Sequence, residues 1–385
     1  MRRVAIVQNV TFNHHHAVYI HGFAPRLDSQ QYHPTVILQH TTEPPQFESI
    51  PYQLRMMKGK TYSVPGQIRF ITNSAFHFAR ASYDLIHAIN PFSSVIAPVL
   101  IRALPHRRVR LVYDYRGLWA EFGIYVGHFP PVLGHLIDRI DVALARRCDR
   151  IIAISERLRE VLIQKGIPGE RIDVVPGGVD LNRFRKAEPV NFAQRYGWTG
   201  PVIGYLGSIA TVRNTQDILY AFRKIRDHRN APIHLLLLGP VSQPAYFQQL
   251  IKELDLEEDV QIDFVPHRDV PGFLRGLTLA VSYFPKQNLL FQNISVPYKI
   301  LEYLGAGVPM VLSDNPPHQV LTEHGVSSYI VPATVEGLVE GIERLLDDET
   351  LADRLRRGAR ETAQRYDFAA IAGQVEAVYE RALET

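Results

Sequence analysis

The sequence predicts a two-domain α/β protein in which each domain is an open parallel sheet with helices on both faces. The chain has 385 residues, enough for two cores of ordinary size. Along both halves, short apolar runs alternate with longer helical segments, as they do in βαβ units. The polar segment 186–200 separates the halves and carries Pro189, Trp198 and Gly200. We therefore predict domains at 1–185 and 201–365, joined by a linker.

The strands are predicted from the apolar runs and the helices from the segments between them. In the first half the predicted strands are Val4–Val7, Thr35–Leu38, Leu85–Ala88, Val109–Tyr113, Ile151–Ile154 and Asp173–Val175. The clearest helices there are Val132–Ala145 and Ser155–Gln164. In the second half the predicted strands are Val202–Leu206, Ile233–Leu238, Val260–Phe264, Leu279–Tyr283, Val308–Leu312 and Tyr329–Val331, and Val335–Leu383 is helical in pattern. Because ligands of such sheets bind at the carboxyl ends of strands, we expect a site in a cleft between the domains.

Composition and charge exclude several classes of protein. Apolar residues make up 46% and charged residues 21%, typical of a globular protein. No stretch approaches the roughly 20 apolar residues of a membrane span, and the apolar run Val4–Val7 is too short for a secretory signal. A cytoplasmic protein is therefore expected. The single Cys148 excludes an internal disulfide and is interpreted as a structural rather than a reactive thiol.

The net charge of +3 is too small to indicate a nucleic-acid partner. Basic residues nevertheless cluster in the first half. A solvated surface is one interpretation, and a peripheral patch that meets anionic headgroups at the inner face of a membrane, or an anionic acceptor, is the other. The cluster comprises Arg102, His106, Arg107, Arg108, Arg110, Arg139, Arg146, Arg147 and Arg150.

The most informative segment runs from Ser295 to Asp314 and is predicted to be a helix, a glycine turn and a buried strand. Pro297 fits the first helical position, and Gly307 fits the helix end. The free N–H groups and dipole of such a helix start suit a phosphate, and Lys299 is close by. An ordinary helix–strand unit is the alternative.

Two further glycine turns follow predicted strands of the second half. Gly207 would let the backbone approach a ligand closely, and the guanidinium group of Arg213 can reach the same ligand. Gly239 ends the next strand and is expected to border the same site. An ordinary turn explains Gly239 equally well.

The first half offers two polar segments at strand ends. Asp114 and Arg116 follow a buried strand and are expected to project into the cleft, where the carboxylate can orient or deprotonate an acceptor hydroxyl. A buried salt bridge between the two is the alternative. The second segment holds the run His14-His15-His16. Adjacent residues do not converge on one point, so we expect no metal there, and His14 is expected to line the acceptor site.

These segments, in their order and spacing, resemble glycosyltransferase family 4, retaining enzymes with the GT-B fold of two Rossmann-like domains facing a cleft. The resemblance rests on the Asp114–Trp119 run, the Pro176–Asp180 turn, the Gly207–Arg213 loop and the Pro297–Pro309 signature. It implies that the last helix, within 366–385, packs back on the first domain.

The resemblance also implies the roles of the site residues. Glu302 is expected to hold the ribose hydroxyls of a nucleotide-sugar, with UDP or GDP as the nucleotide, and His267 lies in the expected base-binding loop. Positive charge would stabilise the leaving diphosphate without a metal or other cofactor. The acceptor residues are Asp114, Arg116 and His14, and the catalytic ones Asp114, Arg213 and Lys299. The donor residues are Gly207, Ser208, Arg213, Gly239, His267, Pro297, Tyr298, Lys299 and Glu302.

Four positions depart from the family's pattern. Ile294 replaces an acidic residue that normally contacts the donor sugar, Ser208 replaces an arginine, Arg213 replaces a lysine and so keeps the positive charge, and Gly177 replaces an asparagine. The first departure leaves the sugar unassigned.

The sequence therefore predicts transfer of a sugar to a hydroxyl of a glycan, a lipid-linked intermediate or a small molecule, in cell-envelope or glycoconjugate synthesis. A nucleotide-sugar epimerase and a catalytically silent sugar-nucleotide or glycan-binding protein are the alternatives. A dinucleotide dehydrogenase is excluded because no G-x-G-x-x-G follows the first strand.

Overall fold

The computed structural model describes residues 1–12, 14–41, 52–60, 63–105, 108–128, 130–285 and 293–384. They form two compact units. The first unit takes the described residues of Met1–Gly178, Leu290–Ser295 and Phe368–Thr385, and the second those of Val179–Leu289 and Val296–Asp367.

The first unit is built on a parallel sheet with the strand order β3-β2-β1-β4-β5-β6-β7. Its central strands consist mainly of apolar residues, because they are buried on both faces of the sheet. The strands are β1 Arg2–Thr11, β2 Tyr32–Gln39, β3 Gln53–Met57, β4 Leu85–Ile89, β5 Arg110–Tyr115, β6 Arg150–Ala153 and β7 Ile172–Val174. The helices are α1 Val18–Phe23, α2 Val64–Arg80, α3 Ser93–Arg102, α4 Trp119–Tyr125, α5 Pro131–Ala145 and α6 Glu156–Gln164, with single 3₁₀ turns at His15–Ala17, Ala24–Arg26 and Gly169–Arg171.

The second unit repeats the architecture with the strand order β10-β9-β8-β11-β12-β13, again all parallel. Its strands are β8 Val202–Leu206, β9 His234–Leu238, β10 Val260–Asp263, β11 Leu279–Ser282, β12 Met310–Ser313 and β13 Tyr329–Val331. Its helices are α7 Leu181–Lys186, α8 Phe192–Tyr196, α9 Thr215–His228, α10 Pro244–Glu253, α11 Val270–Gly276, α12 Tyr298–Ala306, α13 Pro316–Leu321, α14 Val335–Asp347 and α15 Glu349–Ala363, with 3₁₀ turns at Thr211–Arg213 and Gln364–Tyr366.

The last helix, α16 Phe368–Glu384, belongs to the first unit. The Phe368 ring lies where a Cβ on Gly22 or Gly178 would stand, 2.2 and 2.5 Å from the nearest ring atoms, so both positions need glycine. Farther along the helix, Tyr379 is fully buried and its hydroxyl lies 2.8 Å from Nδ1 of His87 on β4. The return of the chain to the first unit, implied by the resemblance, is confirmed.

The predicted alternation of strands and helices is also confirmed, with three differences. The short strand β3 and the helix α2 were not predicted, because β3 mixes exposed polar and half-buried apolar residues. Helix α8 lies inside the segment interpreted as a linker. None of the described helices has the length and apolar character needed to span a bilayer.

Candidate functional site

Helix α12 begins at the predicted anion site of the second unit. Pro297 is its N-cap rather than its first residue, with an extended backbone, so the predicted start was one residue early. Pro297 makes no side-chain hydrogen bond to the start of the helix. Tyr298 is therefore the first helical residue, and the start of the helix offers backbone N–H groups and the positive end of a dipole to an anion.

Lys299 lies on the first turn of α12 and is held between aromatic rings. Its Nζ is 4.1 Å from the centre of the Tyr205 ring and 5.4 Å from that of Phe284. Burial lowers the pKa of Lys299, the hydroxyl of Tyr205 opposes that shift through its charge and a hydrogen bond, and the positive charge of Arg213 adds to the lowering. The structure thus places Lys299 and Arg213, two predicted donor residues, close enough for the charge of Arg213 to act on Lys299.

The two glycine turns meet at the ends of β8 and β9. Gly207 has a φ of 139° and Gly239 a φ of 152°, both in the region that side chains avoid. A Cβ on Gly239 would lie 2.1 Å from the carbonyl oxygen of Gly207, and one on Gly207 would lie 3.1 Å from Nζ of Lys299. The glycines therefore keep this edge of the sheet open beside the lysine.

Ser208 and Arg213 follow Gly207 in the same loop. Ser208 is exposed, and its carbonyl oxygen accepts a hydrogen bond of 3.1 Å from the hydroxyl of Tyr205. Arg213 ends the 3₁₀ turn Thr211–Arg213, just before α9. This loop therefore contributes one cation and an exposed hydroxyl.

Glu302 and His267 form a second polar pair on the same unit. Oε1 of Glu302 lies 2.7 Å from Nε2 of His267. Arg183 donates to the carbonyl oxygen of His267 at 2.7 Å and approaches its Nδ1 at 3.3 Å. Because arginine can only donate, Nδ1 accepts, so Nε2 carries the proton and donates to Glu302. Arg183 fixes the orientation of the histidine, and sequence reasoning missed it.

A cavity of about 450 Å³ lies next to Gly239. It is lined by Gly239, Pro240, Val241, Ile262, Asp263 and Phe264. The resemblance places the base-binding loop in this part of the chain, and the volume is within the usual range for a small-molecule pocket.

A buried histidine behind Lys299 was also missed. Nδ1 of His318 lies 2.6 Å from the carbonyl oxygen of Ser313, and its Nε2 lies 3.1 Å from Oγ of Ser282. Burial lowers the pKa of His318 to about 4, and Lys299 contributes to that shift. His318 is therefore neutral at pH 7 and adds no charge to the anion site.

The acceptor candidates lie in the first unit, and Asp114 is not exposed as predicted. Its side chain is fully buried, with Oδ1 2.8 Å from Nε of Arg116 and Oδ2 3.2 Å from Nε2 of His87. Arg116 also donates to the carbonyl oxygen of Val175 at 2.9 Å and lies 3.8 Å from the centre of the Tyr19 ring. The structure therefore contains the buried salt bridge that the sequence left as an alternative, because β5 turns Asp114 toward the core.

His14 lies just before the 3₁₀ turn His15–Ala17. Its Nδ1 accepts a hydrogen bond of 3.2 Å from the backbone N–H of His16, and the two rings stack at 5.0 Å. Burial lowers the pKa of His14. Among the described residues, no group of three His, Cys, Asp or Glu side chains is arranged to hold a metal ion.

Position 294 lies in the first unit. Ile294 is fully buried, and its carbonyl oxygen accepts a hydrogen bond of 2.8 Å from Oγ of Ser155. A buried apolar side chain occupies the place of the acidic residue that the resemblance would lead one to expect.

Two Rossmann-like units, the second with Lys299 beside the glycine turn that follows β8 and Arg213 in the same loop, define the class of GT-B glycosyltransferases. Residues 16–183 match the family model described as Glycosyltransferase Family 4, and residues 192–362 match that of Glycosyl transferases group 1. The chain belongs to the group 1 glycosyltransferases.

Known proteins similar to this chain fit that assignment. The N-acetyl-alpha-D-glucosaminyl L-malate synthase of Bacillus anthracis is 24% identical over 78% of this chain and 75% of its own length. The 2-deoxystreptamine glucosyltransferase of Streptomyces kanamyceticus is 26% identical over 64% of each chain.

Solved structures share the fold. HepE of Anabaena, solved with UDP and glucose, matches with a TM-score of 0.76 at 18% identity, over 99% of this chain and 100% of its own. Sucrose-phosphate synthase of Thermosynechococcus elongatus gives 0.77 at 16% identity, over 99% of this chain and 98% of its own. At these identities the likeness concerns the fold alone.

Proposed function

We propose that this protein transfers a sugar from a nucleoside-diphosphate sugar, with UDP or GDP as the nucleotide, to a hydroxyl of its acceptor, with retention at the anomeric carbon. The observation that carries the proposal is the anion site of the second unit. There, Lys299 lies on the first turn of α12, where Pro297 provides no side-chain cap, and the positive charge of Arg213 acts on it. A diphosphate supplies the negative charge that such a site lacks.

In this proposal the protein acts mainly on the leaving group. As the bond between the anomeric carbon and the diphosphate oxygen breaks, negative charge grows on that oxygen, and Lys299 and Arg213 stabilise it. The acceptor oxygen forms the new bond on the same face of the sugar, and its proton passes to the departing diphosphate. These two cations replace a metal in the reaction, and no further cofactor is needed.

Glu302 is proposed to bind the ribose hydroxyls of the donor. Its Oε1 accepts from His267, which leaves acceptor capacity on the carboxylate for hydroxyl donors. The cavity beside Gly239 would then receive the base. Tyr298, Gly207 and Ser208 complete the surroundings of the diphosphate.

On the acceptor side we propose Arg116 and His14, with Asp114 acting through Arg116. Because Asp114 is buried, it holds the guanidinium in place rather than removing a proton from the acceptor. The curated relatives named above transfer sugars to small molecules, and a glycan or lipid-linked acceptor of cell-envelope synthesis has the same reacting group, a hydroxyl.

Calorimetric titration of UDP, GDP and ADP into the purified protein tests the donor site. We expect one nucleotide to bind, with an affinity about 10- to 150-fold lower in the Glu302→Ala variant, because a hydrogen bond to a charged group contributes about 1.5–3 kcal/mol. The exposed Glu340→Ala on α14 is the matched control and should bind like the parent. Binding of none of the three nucleotides would contradict the proposal. So would release of an isomerised sugar in the absence of any acceptor.

A further inference from the structure

Helix α3 contacts both α2 and α5, and the three helices form a layer on the first unit. The sheet separates this layer from α16. Tyr113 of β5 donates a 2.6 Å hydrogen bond to Asp141 of α5, whereas its neighbour Asp114 faces His87 and Tyr379. Adjacent residues of a strand point to opposite faces, so α5 and α16 cover opposite faces. We call the outer surface of the layer the α2–α3–α5 face.

Helix α5 turns apolar side chains outward. Val132 is 83% exposed and Leu136 is 52% exposed, and their four-residue spacing places them on one stripe with Ile140. The buried positions of the helix, such as Gly134, lie on the opposite side. A helix of a globular protein normally has the reverse arrangement.

The two neighbouring helices continue this surface. On α2, Val64, Ile68 and Phe76 are exposed, and Phe76 is 63% exposed. At the end of α3, Leu100 and Leu104 are exposed. Among the described large apolar side chains of the first unit, the others that are exposed are Met1, Tyr125, Val126, Leu133, Ile140 and Ile163, of which Leu133 and Ile140 also lie on α5.

The charge on the α2–α3–α5 face has one sign. Helices α2 and α3 contain no Asp or Glu. The acidic residues of α5 are both engaged, since the half-buried Asp138 pairs with Lys165 at 2.6 Å and the buried Asp141 accepts from Tyr113. The exposed basic residues are Arg69 and Arg80 on α2, Arg139 on α5, and Arg146 and Arg147 just beyond it.

Part of the basic cluster found in the sequence has a structural role instead. Arg102 and Arg110 both pair with Asp149, at 2.6 and 3.3 Å, and Arg150 pairs with Asp173 at 2.7 Å. His106 and Arg107 lie outside the described residues. The basic residues of the α2–α3–α5 face are therefore not the ones in these ion pairs. Arg139 is the one that lies on α5 itself.

The charged residues are distributed unevenly between the two units of the chain. The segments of the first unit, residues 1–178, 290–295 and 368–385, contain 22 Lys and Arg against 16 Asp and Glu, whereas the remaining 183 residues contain 20 against 23. A small net charge thus conceals a basic first unit and an acidic remainder, an asymmetry typical of proteins that meet an anionic surface.

We propose that the α2–α3–α5 face docks on an anionic lipid surface, with the helices lying in the plane of the interface. Apolar side chains flanked by Lys or Arg are the pattern of interfacial helices. A second copy fits poorly, because a two-fold interface would oppose the same arginines. Nucleic acid fits poorly as well, since the exposed side chains are mostly aliphatic and single strands are bound by stacking on aromatic rings. This inference does not depend on the donor nucleotide.

Vesicle flotation of the full chain tests the proposal. We expect binding to vesicles of phosphatidylcholine with about 30 mol% phosphatidylglycerol, weak binding to phosphatidylcholine alone, and release by salt. The double variant Leu136→Ser with Ile140→Ser should lower the bound fraction about tenfold, and Arg139→Glu severalfold, because both remove interfacial contacts. Matched controls on the same unit are Ile163→Ser on α6 and the exposed Arg171→Glu, which should bind like the parent.

Nucleotide titration and circular dichroism check that each variant is folded. Three results would overturn the proposal: no flotation with either vesicle, flotation that the face variants leave unchanged, or a dimer without lipid that the same variants dissociate. The last result, measured by analytical ultracentrifugation, would assign the face to a second copy of the chain.

Discussion

Two partly or fully buried cations, one in each unit, are held in opposite ways. Arg116 of the first unit is neutralised by the buried carboxylate of Asp114 and covered by the Tyr19 ring. Lys299 of the second unit makes no ion pair with any residue that the structure describes. It lies between two aromatic rings and close to a second cation, Arg213. The first arrangement is complete within the unit, whereas the second becomes favourable only when an anion arrives.

This difference distinguishes a charge that is balanced within the protein from a charge that a ligand must balance. A buried ion pair costs stability when one partner is removed, because the other charge remains in a medium of low dielectric. A lone buried cation costs stability as it stands, and the protein tolerates that cost where a ligand will compensate it. Removal of each charge should therefore affect different properties of the molecule.

The largest expected effect is that of Asp114→Asn on stability. The substitution leaves Arg116 buried without its counter-charge, so the free energy of unfolding should fall by about 3–5 kcal/mol. Urea unfolding followed by circular dichroism measures it. The exposed pair of Arg157 and Glu160 gives the control, since Glu160→Gln should cost less than about 1 kcal/mol. A variant as stable as the parent that has lost sugar transfer would show that Asp114 acts on the acceptor instead.

A smaller effect, on binding, is expected for Lys299→Met. Methionine keeps the apolar stem over Tyr205 but removes the charge, so nucleotide affinity should fall about 10- to 100-fold, while stability stays the same or rises. Calorimetry and thermal unfolding measure the two quantities. Lys252→Met, at an exposed position of α10, is the control. Loss of stability without loss of nucleotide affinity would show that the charge of Lys299 stabilises the fold and does not bind the nucleotide.

The smallest effect is a pH dependence of nucleotide affinity. The anion binds the protonated lysine, so affinity is constant at neutral pH and falls as pH rises through the pKa of Lys299. Since burial lowers that pKa from 10.5, the fall should begin at a lower pH than for an ordinary lysine. Over the same alkaline range the free protein gains stability, because its folded state releases the proton first. Titrations at increasing pH check this, and Lys299→Arg should abolish the fall.

Most of the fold could be predicted from the sequence because the parallel strands are buried on both faces. In a chain that alternates them with helices, continuous apolar runs such as Leu235–Leu238 predict buried parallel strands. The edge strand Gln53–Met57 was missed for the same reason, since an edge position does not need such a run. The glycine turns at Gly207 and Gly239 were predicted, because a positive φ and a close backbone approach demand that residue.

The residues that orient the site could not be predicted, because they are distant in sequence from the residues they hold. Arg183 fixes His267 from 84 positions away, and His87 holds Asp114 from 27. Each is a polar residue in an otherwise ordinary helix or strand, and only the fold brings it to its partner. The burial of Asp114 was misjudged because a position at a strand end predicts proximity to a site but not the direction of the side chain.

The position of α16 has a consequence for how the chain folds during synthesis. His87 and Tyr379 are 292 residues apart, and the ring of Phe368 fills the space beside Gly22 and Gly178. The ribosome must therefore make all of the second unit before the first can complete its core. Contacts of such long range slow folding, so the unit that emerges first should be the later of the two to reach its native state.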